Sequence, residues 1–132
     1  MKINIYFLIV GILSILFSIT HAWNGQSAIL PLIEATGVES TIKTTIFYVW
    51  HIISVENLVF GIAFLGMAFS KNQSRVKFAA WTIMSLIAAR WLVLFISTLL
   101  RDITGIENLM VDSIAIIIYI GLILLGIRKG NT

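Results

Sequence analysis

The chain contains no cysteine. Disulfide frameworks, thiolate metal centres, iron–sulfur clusters and cysteine nucleophiles are therefore all excluded. It has a single proline in 132 residues, which suits long helices without interior breaks. Charge is also scarce. Only 11% of the residues are Asp, Glu, Lys or Arg, and the acids number six against nine bases. A soluble domain is nearer a quarter charged. Catalytic signatures are missing as well. There is no phosphate-binding G-x-x-x-x-G-K-[ST] loop, no G-x-G-x-x-G, no H-E-x-x-H and no nucleophile elbow around Ser14, Ser18 or Ser54. Positive evidence for an enzyme is thus absent, and an enzyme ranks below the other functional readings.

What the chain has in abundance is apolar surface. Hydrophobic residues make up 59% of it, with a mean hydropathy of +1.02. So small a core could not bury them all. A lipid solvent resolves the excess. Four apolar runs of roughly the ~20 residues needed to cross a ~30 Å hydrocarbon core are expected to be helices, at about 3–22, 45–69, 78–99 and 108–127. The expectation is an all-α integral membrane bundle forming one domain over residues 1–132. The first run is longer than the apolar part of a signal peptide, despite Lys2 before it and Thr20-His21-Ala22 at its end, so a retained membrane helix is expected.

Orientation follows from the basic residues outside the runs. Lys2, Lys71, Arg75, Lys77, Arg128 and Lys129 fall on one face, and Lys43 and Arg101 on the other. By the positive-inside rule both termini are cytoplasmic. The aromatics Trp23, Tyr48, Trp50 and Trp91 gather toward the opposite, outer face. The basic residues thus read as topology signals, and no nucleic-acid partner is expected. The bilayer is the expected surrounding, bacterial cytoplasmic membrane the expected location, and a protein partner or homo-oligomer is left open.

Connections are read from turn chemistry. Residues 23–44 form the first, with Asn24-Gly25 as a turn and 29–33 as a short apolar segment at the bundle mouth. Residues 70–77 and 101–107 form the other two. Val55-Glu56-Asn57-Leu58-Val59 echoes Ile106-Glu107-Asn108-Leu109-Met110. The two fall out of register on their helices and imply no repeat.

Three groups of residues carry candidate chemistry. Gly11, Ser14, Ser18 and His21 repeat at helical spacing on one face, which should turn toward neighbouring helices because small residues permit close approach. His21 at the end of the first helix, His51 near the start of the second and Asp112 in the fourth stand at one level. They are candidates for a divalent metal site or, through the two histidines, for haem b, since no C-x-x-C-H attachment motif is present. The bland alternative is a pair of interfacial histidines hydrogen-bonded to a neighbouring helix. Glu56 and Arg90 lie deeper, where an unpaired charge is costly. They are expected to form a buried ion pair, with Ser54, Asn57 and Ser97 as supporting polar groups.

His21 followed by Asn24-Gly25, and then Trp50-His51-Ile52-Ile53-Ser54, resembles a group of small bacterial four-helix membrane proteins. In that group a histidine ends the first helix and W-H-x-x-S opens the second. Its pattern has glycine before the first histidine and an acid after the following glycine, where this chain has Thr20 and Gln26. The resemblance covers the first two helices, implies the four-helix fold and carries over no activity. The functional expectation is a small membrane protein whose outward-facing polar pocket binds haem, a metal ion, or an anionic or lipid-like molecule. The alternatives are an accessory subunit whose polar residues clasp helices, or a proton-coupled or ion-conducting path through His51, Glu56 and Arg90.

Overall fold

The computed structural model describes residues 3–129, apart from the side chains of Gln73 and Asn108. Lys2, counted above toward the cytoplasmic face, lies outside the described residues. The chain is all-α. Its elements are α1 (Ile5–Asn24), a π-helical turn (Gly25–Ile29), α2 (Leu30–Glu34), α3 (Ser40–Phe69), α4 (Gln73–Arg101), a 3₁₀ turn (Ile103–Gly105) and α5 (Ile106–Lys129). Among the described residues four spans are long and apolar enough to cross a membrane: Ile5–Glu34, Ser40–Phe69, Ser74–Arg101 and Leu109–Lys129. The four-helix membrane class expected from composition is therefore what the structure has, and the chain is a multi-pass membrane protein.

The first connection is corrected. Asn24-Gly25 is not a turn. The helix continues through it with one wider turn, in which the Leu30 amide reaches back five residues to the Gly25 carbonyl. Pro31 then sits in the first turn of α2, where its missing N–H costs little. The true connection is only residues 35–39. It is closed by Thr36 Oγ1 donating to Ile33 O at 2.6 Å and by Lys43 Nζ donating to Glu34 O at 2.7 Å. The spans also outrun the apolar segments. α3 begins at Ser40, and α4 at Gln73. Hydropathy marks the part of a helix that lies in hydrocarbon, whereas hydrogen bonding carries the helix on. Thr45 Oγ1, for example, donates to Thr41 O at 2.9 Å, satisfying a polar side chain within the helix itself.

The contacts divide the chain into two compact units, Gly11–Leu65 and Met1–Val10 with Gly66–Thr132. In the first, the upper part of α1 packs on α3 through the small-residue stripe. Gly11 and Ser14 are buried, as is Ser18. A Cβ added at Gly11 would stand 3.0 Å from the Gly61 carbonyl, and one at Gly61 would stand 3.0 Å from the Gly11 carbonyl. The backbones touch, as the spacing predicts. Ser18 Oγ crosses the seam to donate to Ser54 O at 2.7 Å.

In the second unit Asn4 joins three helix ends. Its amide nitrogen donates to Ala68 O at 3.0 Å and its side-chain Nδ2 to Gly126 O at 2.8 Å. Phe7 and Ile123 are fully buried there. On α4 the buried positions Val76, Ala80, Ile83, Met84 and Ile87 recur at helical spacing, one stripe turned inward. Trp91 Nε1 donates to Ser113 Oγ of α5 at 2.8 Å, and Ser113 Oγ donates in turn to Leu109 O at 2.6 Å.

Candidate functional site

The polar residues of the Gly11–Leu65 unit converge where α1, the π turn and the first third of α3 meet. Trp50 is the centre. Its Nε1 donates to the backbone carbonyl of His21 at 2.8 Å. Its ring lies flat on the His21 imidazole, with centroids 4.5 Å apart and planes 5° from parallel. The indole also lies directly against Gly25, where any Cβ would collide with it. Gly25 thus serves close approach rather than chain reversal, which is why its turn-like sequence misleads. His21 is half-buried, and its Nε2 is enclosed without a hydrogen bond.

His51 follows Trp50 on α3, about 100° further round the helix. Its partners are different. Its Nε2 lies 2.8 Å from Gln26 Nε2, and its ring meets the edge of Phe47 at 4.7 Å between centroids. The two histidines therefore belong to one cluster at one level, but each ring is held by its own neighbour.

Below His51 the face of α3 forms a shallow, open groove of about 480 Å³, lined by Phe47, Tyr48, His51, Ile52, Val55 and Glu56. Tyr48, Ile52 and Val55 are exposed, while His51 and Glu56 are half-buried. The exposed walls of the groove are apolar, and His51 and Glu56 stand among its lining residues five positions apart on α3.

The remaining expected residues are placed as follows. Ser54 is buried in the α1–α3 seam, and Asn57 is half-buried on the same helix. Neither Glu56 nor Asn57 stands without a partner, nor does Arg90. Glu56 belongs to one compact unit and Arg90 to the other. Asp112 and Ser97 are exposed rather than turned inward. Among the described residues no three His, Asp or Glu side chains gather to hold a metal ion, which corrects the His21–His51–Asp112 metal triad. Equal height along helices was the basis of that expectation. Height does not fix azimuth, and Asp112 points to the surroundings. Of the aromatics, Trp23 is 76% exposed, as an interfacial ring should be, while Trp50 and Trp91 are half-buried and hydrogen-bonded.

Sequence reasoning gave no role to Gln26 or Phe47 and took Gly25 for part of a turn. Gln26 was hidden because a helix ending at residue 22 would leave it in a loop. Phe47 was one apolar residue among many. Compared with models of protein families, with curated proteins and with solved structures, the chain matches none.

Proposed function

We propose that this protein binds a lipid-like amphiphile with a hydroxyl-bearing head, in the α3 groove that carries His51 and Glu56. The observation that supports this most is the composition of the groove. Its Phe47, Tyr48, Ile52 and Val55 walls suit a hydrocarbon chain. His51 and Glu56 are the hydrogen-bonding side chains among its lining residues, and a hydroxyl can pair with either. Such pockets pair a mostly apolar lining with a few orienting polar groups. Ionisable groups inside a span are costly, and that cost makes them functional candidates by default. The charge bias of the loops supports an arrangement with both termini cytoplasmic, the groove then lying toward the outer leaflet. The resemblance in helices α1 and α3 supports a bacterial cytoplasmic membrane.

The test is photolabelling of purified protein in lipid nanodiscs, with a monoacylglycerol carrying a diazirine on its chain. Saturable labelling mapped to residues 47–56, weakened by His51→Ala and by Glu56→Gln, and not competed by an alkane of equal length, is the expected result. Labelling spread evenly over lipid-exposed positions such as Ile114 and Ile118 would overturn the reading.

A second reading has its own observation. Both histidine rings are already held within the chain, as a clasp in an accessory subunit would be. Under that reading His51→Ala lowers stability and no saturable labelling is seen.

A further inference from the structure

All six acids of the chain fall within residues 34–56 and 102–112: Glu34, Glu39, Glu56, Asp102, Glu107 and Asp112. Residues 57–101 and 113–132 carry cations only. The hydrogen bonds of Asn4 bring the start of α1, the end of α3 at Ala68 and the last turn of α5 at Gly126 to one end of their unit. Lys129 Nζ confirms the grouping, lying 5.5 Å from the centroid of the Tyr6 ring. The linker to α4 is only residues 70–72, so the α4 N-terminus is at the same end. Lys71, Arg75, Arg128 and Lys129 are all exposed there.

The rows of residues just inside these cations are aromatic. Phe69 is 45% exposed, Phe78 77% and Trp81 49%. Lysine and arginine at a boundary, backed by the amphipathic ring of Trp81 and the apolar rings of Phe69 and Phe78, match the layering of a bilayer, phosphates outermost and hydrocarbon beneath. The α4 N-terminus adds its partial positive charge to the same surface.

We propose that this end of the protein is a binding surface for the phosphate groups of anionic phospholipids. A positive-inside bias alone needs only a count of charges. Here four cations share one end of one compact unit, every Asp and Glu of the sequence falls in other stretches of the chain, and an aromatic row stands just inside them. A nucleic acid would have to approach a surface whose adjoining rings are sunk in lipid. The inference does not depend on the α3 groove.

The experiment uses the full chain, purified in a neutral detergent, with thermal unfolding followed while lipid is added. Dioleoylphosphatidylglycerol should raise the unfolding temperature, and dioleoylphosphatidylcholine should not. Each cation removed should raise the half-saturating concentration about fivefold. The variant K71Q/R75Q/R128Q/K129Q should therefore lose affinity by several hundredfold. K43Q/R101Q, altered at basic positions outside this end, should keep it. Should the quadruple variant fail to fold, R128Q/K129Q serves, with a loss of roughly 25-fold. The inference is overturned if phosphatidylcholine acts equally, if the glutamine variants bind phosphatidylglycerol unchanged, if inorganic phosphate at matched concentration gives the same shift, or if duplex DNA binds more tightly than the lipid.

Discussion

Replacing Gly25 with alanine tests whether Trp50 organises the cluster. The new Cβ would overlap Nε1 and Cδ1 of Trp50 and stand 2.8 Å from Cε2. A flexible side chain would swing away at small cost, but this one is held twice, by the 2.8 Å bond to His21 O and by the stack on the His21 ring. Displacing it leaves a part-buried N–H unsatisfied, at about 1–3 kcal/mol. It also gives up a ring stack, at about 0.5–1.5 kcal/mol. Against this, alanine stabilises a helix over glycine by roughly 0.5–1 kcal/mol. The net expectation is a loss of about 1–3 kcal/mol. The decisive comparison is made in a Trp50→Ala background, where nothing remains to collide. There Gly25→Ala should be neutral or stabilising, by up to about 1 kcal/mol, so the sign reverses. Reversible unfolding in mixed micelles, read by far-ultraviolet circular dichroism, measures all four corners of the cycle. Equal destabilisation in both backgrounds would refute the argument, since the cost of alanine would then lie in the π turn rather than against the indole.

Ser18→Ala should destabilise by about 0.5–1.5 kcal/mol through loss of the bond to Ser54 O, measured by the same unfolding. Trp91→Phe keeps a ring beside Phe95 but removes the donor to Ser113 Oγ, and should cost about 1 kcal/mol. Gly126→Ala should be harmful, because its Cβ would meet the Phe7 ring at 2.5 Å. Phe7→Leu in the same chain should recover part of that loss, and no recovery would locate the cost elsewhere. A cytoplasm-specific reporter fused after Thr132 should be active, and one inserted at Gly37 in the 35–39 connection should be silent. Matching activity at both places would contradict the charge-derived orientation.

The spans were legible because their signal is redundant. Each is some twenty apolar residues long, and in lipid only a helix satisfies that much backbone. The stripe from Gly11 to His21 was legible for a related reason, since small residues at helical spacing report a close seam whatever lies opposite. The site was less legible. Reading Gly25 as a turn was reasonable chemistry applied to the wrong cause, because glycine also marks a close approach and its partner, Trp50, is 25 residues away. Placing Asp112 with the histidines used depth alone. Depth follows from counting at about 1.5 Å per residue, whereas facing depends on the packing of each helix, which a sequence gives only where the pattern is periodic.

Several clasps between segments join one side-chain donor to a backbone carbonyl: Ser18 to Ser54 O, Trp50 to His21 O, Asn4 to Gly126 O and Lys43 to Glu34 O. A helical carbonyl already engaged in its own ladder keeps a second lone pair. A clasp of this form therefore needs a single polar side chain, and it leaves no second polar group to be desolvated if the contact opens. In lipid, where an unsatisfied group is costly, that economy favours serine, asparagine and tryptophan donors over matched charges. Other contacts between helical segments join side chain to side chain, as Lys43 to Glu34, Trp91 to Ser113 and Gln26 to His51 do. Trp91–Ser113 closes on itself, because Ser113 Oγ donates in turn to Leu109 O. Gln26–His51 does not close in this way. It is exposed, and it adjoins the α3 groove. A clasp meant only to hold helices together would have no need of an imidazole there, since a serine donating to a carbonyl does the same work. That difference is the physical reason for proposing a ligand beside His51 rather than beside His21, whose ring is stacked on Trp50.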